Sequence, residues 1–521
     1  MSFIAPGIQW VALTPLLTIM GAGVLGVLVE AFVKRGPRRL VQVILALGAI
    51  SVALVAVVWR YTEVLANGPI TIFDNSLKED VPALVAQAIL LIIAFIGVLV
   101  IADRTETGEG AFVASAATRP GSEEESDATE AGLVQSEVYP LVLFSLLGML
   151  VFTSASSLVT LFVALEVLSL PLYVLTGLAR RRRLLSQEAS LKYFLLGAFS
   201  SAVMLFGITL LYGYSGSFAF ADIQAAAPNM LQMDALLFGG TLMVLVGLLF
   251  KVGAAPFHAW TPDVYQGAPT PVTGFMAAAT KTAAFAAMLR FVYVAVPATA
   301  WDIAPIMWVI IGLTMAAGTF VGIVQTNVKR MLAYSSVAHA GFVLLGVFAM
   351  VASSIPATMF YLLAYGIATV GAFGVITLVR ERDPQGHITA EATELSQWAG
   401  LGKKSPRLAA AMTIFLLSFA GIPLTAGFIG KLTVFTAAVE GGLWWLVVLA
   451  VLFSAATAYF YVRLIILMYF TEPEDEGTVV VVESEGLTSV AIGLAAIVTV
   501  ALGILPGPIL DFVGRAAQYL P

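Results

Sequence analysis

Leu245-Val-Gly-Leu-Leu-Phe-Lys251-Val-Gly-Ala-Ala-Pro256-Phe-His258-Ala-Trp260-Thr-Pro262-Asp263-Val-Tyr265-Gln-Gly267 continues an apolar run of membrane length and then interrupts it with a lysine, a glycine and a proline. Glycine loosens a helix, and proline removes a backbone donor and clashes with the preceding turn. Hydrocarbon offers such freed backbone groups no partner, so non-helical backbone at membrane depth survives only where protein buries it or where it lines a wet cavity. A second run is broken in the same way by Gly421-Ile-Pro-Leu-Thr-Ala-Gly427. Both stretches read as broken helices, and together they mark the functional axis of the chain.

The rest of the chain supplies the membrane context. Its 521 residues are 60% hydrophobic and 11% charged, with a mean hydropathy of +0.97, whereas soluble domains carry about 25% charged residues. Long unbroken apolar runs exclude a transmembrane β-barrel, whose strands alternate over segments of roughly 10 residues. The fold class is therefore an all-α polytopic membrane protein with about fourteen transmembrane helices. Their expected cores are 8–33, 40–61, 82–102, 138–153, 157–179, 189–213, 234–267, 269–295, 303–325, 330–352, 355–380, 408–438, 442–471 and 486–513. Each break falls in the fourth span of one of two consecutive five-span groups. Five is odd, so the second group runs upside down relative to the first, as in transporters built from inverted repeats.

This division gives an N-terminal three-helix segment at 1–102, a loop at 103–137, a first five-helix repeat at 138–295, a second at 303–471 and a C-terminal helix at 486–521. The loop is rich in Glu, Ser, Ala and Gly, includes Glu123, Glu124 and Glu125 in a row, and is expected to be an acidic, disordered cytoplasmic tether. The patch Glu472 to Glu476 also reads as a solvated loop. Met1 to Trp10 lacks the basic start and small-residue cleavage site of a secretory signal, so the first span is expected to be retained. Roughly 17 of the 26 lysines and arginines fall in loops on one face, including Arg180 to Arg183, and four (Arg60, Lys78, Arg290 and Arg515) on the other. The basic face is expected to be cytoplasmic and both termini outside.

Composition also narrows the chemistry. With no cysteine, the chain offers no disulfide, no thiolate ligand for an iron–sulfur cluster and no thioether to haem. His258, His339 and His387 are too scattered for a metal site, and a net charge of −6 gives no nucleic-acid footprint.

What remains is a set of ionisable residues inside apolar spans. Glu166 lies some ten residues into its span, about 15 Å deep at 1.5 Å per residue. Lys281 comes ten residues after Pro271, at a similar depth, where its stem reaches no interface. Lys251 and Lys431 sit at the two breaks, where freed carbonyls could also hold an ammonium as a structural plug. Charge at mid-bilayer costs several kcal/mol and commonly marks an ion path or proton relay. A partly desolvated lysine loads and releases a proton near neutrality. A carboxylate about 7 Å away at an effective dielectric near 20 would act on it by roughly 2.4 kcal/mol, which makes Glu166 and Lys251 a candidate coupled pair. Lys192 lies near the cytoplasmic end of its span and reads as snorkelling, with a place in the proton relay as the alternative. His339 could bridge protons between the halves or simply satisfy a helix contact. Arg463 reads as a fixed counter-charge or anchor, and Asp263 and Tyr265 as caps that pin the loop before Pro269. His258 and His387 receive no role.

The stretch Lys251 to Pro271 resembles the hallmark of the antiporter-like membrane subunits of respiratory complex I and of Mrp-type antiporters. Ala277-Ala-Ala-Thr-Lys281, the span from Gly421 to Lys431, Glu188-Ala-Ser-Leu-Lys192-Tyr-Phe-Leu-Leu-Gly197 and Asn327-Val-Lys-Arg-Met-Leu-Ala-Tyr-Ser-Ser336 are similar to the N-type members. The resemblance covers residues 135 to 470 closely. It implies proton transfer at Glu166, Lys251, Lys281 and Lys431. It further implies that NADH, FMN, iron–sulfur clusters and quinone belong to partner subunits, with M-type and small K- and J-type membrane subunits and lipid as neighbours in a cell membrane. The alternatives are a subunit of an Mrp-type sodium/proton antiporter, for which a sodium site would want clustered carboxylates or carbonyls, and a membrane scaffold without transport.

Overall fold

The computed structural model describes residues 8–104, 110–120, 122–131, 133, 135–227, 234–382, 388–473, 479–482 and 485–520. His387 and residues 474–476 of the acidic patch lie outside the described residues, whereas Glu472 pairs with Lys403 at the surface.

Among the described residues, twelve helices are long and apolar enough to cross a membrane. Val138–Ser154 and Pro406–Ala420 are shorter apolar helices. The expected 234–267 run resolves into Asp234–Val252 and Trp260–Gly267, and the 408–438 run into Pro406–Ala420 and Ala426–Glu440. At the breaks, Gly253 has φ +72° and Gly421 φ +80°, the left-handed region that glycine enters without strain. Freed backbone groups find partners inside the protein. Ala255 N donates to Thr314 Oγ1 at 3.0 Å, and Trp260 Nε1 donates to the Phe250 carbonyl at 3.0 Å. Gly427 N donates to Ser418 Oγ at 3.1 Å. Each break is tolerated because protein replaces the missing water.

Burial is graded from the centre outwards. Thr270–Ala295 and Ser354–Leu378 are enclosed on every side, and Val81–Ala102 and Val328–Val347 nearly so. Thr14–Phe32, Trp444–Phe470 and Leu487–Ile504 keep most of their apolar surface outward, as helices facing lipid or other subunits do. Small residues allow the closest crossings. A Cβ on Gly148 would lie 2.3 Å from Leu168 N, and one on Gly318 would lie 2.3 Å from Ala338 N.

Three features depart from the sequence reading. Short sheets accompany the helices: Ile70–Ile72 pairs with Leu77–Glu79, and a three-stranded sheet joins Ile388–Glu391, Val379–Arg382 and Val479–Val481 in that order. The segment expected to be a disordered tether has a definite path where it is described. Phe112 bridges to Ala179, Glu123–Glu130 is helical, and Arg183 Nη1 meets Glu125 Oε1 at 2.7 Å. Arg290, expected in an outer loop, has no exposed side-chain surface and is paired with Asp80 through Nη1 at 2.8 Å and Nη2 at 2.6 Å. A buried partner far along the chain outweighs the apparent closeness of Arg290 to the end of its span.

Candidate functional site

Glu166, on Leu158–Thr176, accepts a hydrogen bond from Ser201 Oγ at 2.5 Å. Lys251, in the last turn of Asp234–Val252, is 2% exposed. Its Nζ donates to Ser169 Oγ at 2.8 Å and Tyr193 OH at 3.0 Å, and lies 5.2 Å from the Tyr193 ring centre and 5.9 Å from that of Tyr173. Hydroxyl dipoles and the negative ring faces hold this ammonium. Glu166 and Lys251 form no ion pair. Lys251 is held instead by Ser169, one helical turn beyond Glu166 on the same face, which leaves the charges of Glu166 and Lys251 to act on each other across space.

Lys281 follows a wide turn of π-helix, Met276–Thr280, a distortion frequent at functional sites. Its Nζ donates to the Ser336 carbonyl and lies 6.0 Å from the Tyr365 ring centre. Ser336 Oγ is in turn 3.3 Å from Tyr265 OH. An aromatic wall joins this lysine to the previous one. Trp260 stacks on Tyr193 with ring centres 4.7 Å apart and meets Tyr265 edge-on at 6.4 Å.

His339 presents Nδ1 to Tyr361 OH at 2.6 Å and Nε2 to Tyr461 OH at 3.2 Å. Its ring lies 4.9 Å from that of Tyr365 and 5.7 Å from those of Phe342 and Phe419. Lys431 Nζ donates to the carbonyls of Phe419 at 2.8 Å and Ala420 at 3.0 Å, and to Ser454 Oγ at 2.8 Å, while lying 5.1 Å from the Phe342 ring centre. His339 thus stands between two lysines, sharing Tyr365 with Lys281 and Phe342 and Phe419 with Lys431. The carbonyls that hold Lys431 end the Pro406–Ala420 helix, where the helix dipole also favours a cation.

Lys192 is set apart from this row. Its side chain is 43% exposed and pairs with Glu188 at 2.7 Å and Asp263 at 2.8 Å. Asp263 also receives Arg330 Nη1 at 2.8 Å, so it bridges three helices instead of capping a loop. Tyr265 does more than pin backbone, because its hydroxyl reaches the residue that holds Lys281. Arg463 donates weakly to the carbonyls of Ile323 and Gln325, as an anchor would.

Sequence reasoning missed the neutral half of the site, Ser169, Tyr193, Ser336, Tyr361, Tyr365, Ser454 and Tyr461, and the contact of Tyr265 with Ser336. One signal was available. A tyrosine in an apolar span must find a partner for its hydroxyl, and Tyr361, Tyr365 and Tyr461 stand in such spans. Each of these hydroxyls can both donate and accept a hydrogen bond. Among the described residues, no group of three or more His, Asp or Glu could hold a metal ion.

A family model described as NADH:quinone oxidoreductase/Mrp antiporter, transmembrane, matches residues 155–457. A protein of Beutenbergia cavernae named NADH-quinone oxidoreductase subunit N is 59% identical over 530 residues, covering 100% of both chains. The chain belongs to the NADH-quinone oxidoreductase subunit N family. A chain of respiratory complex I from Thermus thermophilus is 32% identical at a TM-score of 0.76, over 95% of this chain and 98% of that one. A chain of the Mrp complex from Dietzia sp. is similar at a TM-score of 0.79 but only 20% identical, over 98% of this chain and 97% of that one. The Mrp likeness shows the shared fold, and full-length identity places the chain with subunit N.

Proposed function

We propose that this chain carries protons across the cell membrane as the N-type subunit of an NADH-quinone oxidoreductase, with Glu166, Lys251, Lys281 and Lys431 as the proton-carrying groups and His339 as the bridge between the last two. The observation that carries this reading is the row itself. Three lysines with 2%, 3% and 6% exposure are held by hydroxyls, carbonyls and ring faces instead of carboxylates. Neutral partners stabilise an ammonium without fixing it permanently, which leaves each lysine able to give up its proton.

In this mechanism, electrons pass from NADH to quinone in partner subunits, where NADH, FMN, iron–sulfur clusters and quinone reside. A rearrangement transmitted from M-type or K- and J-type neighbours alters the distance between Glu166 and Lys251. Lys251 then releases or gains a proton through Ser169 and Tyr193. Lys281 takes up a proton beside Ser336, and His339 exchanges it with the Lys431 cage through the Tyr461 and Tyr361 hydroxyls, one ring nitrogen accepting while the other donates. Lys192 acts as a positioning residue through Asp263. The basic face lies in the cytoplasm, fourteen crossings put both termini outside, and the two five-helix groups run in opposite directions. One offset supports the repeat: 170 residues separate Gly148 from Gly318 and likewise Leu168 from Ala338, the two pairs that make matching close crossings.

Glu166→Gln and Lys251→Ala in native membranes test this reading through NADH-driven quinone reduction and proton pumping. Both variants are expected to assemble and to lose pumping. Unchanged assembly, electron transfer and proton-to-electron ratio in both would sink the relay.

A further inference from the structure

At the basic end of the molecule, a cavity of about 30 Å³ opens between the two halves, enough for about two waters. Its charged lining consists of Arg180, Arg181, Arg182, Arg380, Lys329 and Glu391, and the loop 266–269 closes one wall. Glu391 Oε1 accepts from Thr270 Oγ1 at 3.0 Å and stands 3.6 Å from Arg380 Nη1. Thr270 begins the enclosed helical segment that carries Lys281. Lys329 is 4% exposed and opens the helix Val328–Val347. Seven residues further along that helix is Ser336, the residue that holds Lys281. A separation of seven keeps both on one face, about 10 Å apart along the axis. Between them on that face stands Ala333, whose side chain is a single methyl. The loop that walls the cavity also directly follows Tyr265, whose hydroxyl meets Ser336.

We propose that this cavity is the proton-uptake chamber for Lys281, with Lys329 collecting each proton and Glu391 serving as its fixed counter-charge. The inference rests on the relay reading above. Elimination within the lining singles out Lys329. Arginine does not release its proton in proteins. Burial opposes the charge of Glu391, but Arg380 and Lys329 beside it hold its carboxyl down at about 2, so it stays ionised throughout. The charged groups acting on Lys329 are Glu391, which favours its ammonium, and Arg182 and Arg380, which oppose it. In each uptake step a neutral Lys329 amine takes a proton from a cavity water, and the cytoplasm restores that water. The ammonium passes a proton through water to the Ser336 or Tyr265 hydroxyl, which releases its own proton to a neutral Lys281 amine. Lys329 and the hydroxyl end as they began, Lys281 gains one proton and one positive charge, and no electron moves.

The test uses the assembled complex in inverted membrane vesicles, whose cytoplasmic face is outermost, with rates expressed per assembled complex. Lys329→Arg keeps the charge beside Glu391 and removes the exchangeable proton. NADH-driven proton uptake is expected to fall about 100-fold, the lower range for loss of a positioned acid–base group. The deficit should deepen as the outer pH is raised from about 6 to about 8, because uptake becomes limited by proton supply. Lys329→His, which titrates again, should recover part of the rate below about pH 7, whereas Lys329→Gln should not. Wild-type rates in Lys329→Arg, a deficit independent of pH, or equal rates for the His and Gln variants would overturn the proposal. Lys281→Arg separates the two levels of argument. If it abolishes pumping while Lys329→Arg does not, the uptake chamber alone fails. If it pumps normally, the relay fails as well.

Discussion

Asp80→Asn removes one charge from the most deeply buried ion pair among the described residues and leaves the Arg290 guanidinium without its counter-charge. The side chains are 0% and 3% exposed, and both guanidinium nitrogens bond the carboxylate, at 2.8 Å and 2.6 Å. Asparagine keeps one oxygen, for either Ala83 N, which bonds Oδ1, or Leu520 N, which bonds Oδ2, so the change removes the charge together with one of these two backbone contacts. Unit charges about 4 Å apart at an effective dielectric near 20 attract by about 4 kcal/mol. That agrees with the 3 to 5 kcal/mol that breaking a buried pair commonly costs, roughly 3 kcal/mol or more in local opening. Each 1.36 kcal/mol is about tenfold in an equilibrium constant. Hydrogen–deuterium exchange of the assembled complex should therefore accelerate roughly 10² to 10³-fold in peptides spanning 76–84 and 286–294, where exchange follows local opening. Adding Arg290→Met removes the stranded cation and should restore most of the protection, since apolar replacement of a buried pair is often neutral or better. Unchanged exchange in the single variant, or no recovery in the double, would refute the claim that this pair holds the end of the Lys281 helix.

Gly421→Ala would put a methyl carbon 2.9 Å from Lys431 Cδ, whereas Gly442→Ala, at nearly the same φ (+81° against +80°), meets nothing within 4 Å. The backbone strain is shared, so only the first should lower proton pumping beyond a common loss of stability, and equal pumping would refute the cage around Lys431. Glu391, held at about 2 against an ordinary value of 4.5, stabilises the fold above about pH 4.5 and loses that contribution as pH falls toward 2. This amounts to about 3 kcal/mol, and Glu391→Gln should flatten the acid-induced rise in hydrogen exchange of 379–391 across that window. Glu125→Gln takes the carboxylate from the buried Arg183 guanidinium, whose side chain is 5% exposed, and leaves it the neutral Thr118 Oγ1 and Ala116 carbonyl. Limited proteolysis within 110–131 should then speed up about tenfold or more, and wild-type cleavage rates would count against an ordering role for the Arg183–Glu125 pair.

Glu166, Lys251, Lys281 and Lys431 could be picked out because charge in an apolar span is conspicuous whatever surrounds it. Their relations to one another were not legible. Glu166 and Lys251 read as a coupled pair, but a helix position fixes depth and not azimuth, so the contact of Lys251 with Ser169 was hidden. Arg290 was misplaced because distance from a span end says nothing about partners such as Asp80, which lies 210 residues away in sequence, and for the same reason the pairing of Lys192 with Asp263, 71 residues away, was hidden. The path taken by the 103–137 segment was hidden because its composition alone describes a chain free in water, and the basic turn Arg180–Arg183 supplies the partner that orders it.

By itself, the sequence determined that this chain lives in a membrane, where its helices break and which charges lie deep. These follow from local quantities: apolar length, proline and glycine, and the cost of charge in hydrocarbon. Only the tertiary structure decided which neutral hydroxyls and rings hold each lysine, that His339 stands between Lys281 and Lys431, and that Lys329 and Glu391 share a water-sized cavity. Such groups cost little alone and give no signal in one dimension. Helix packing brings them within hydrogen-bond reach, and only then do separate charges become a row joined by hydroxyls and rings.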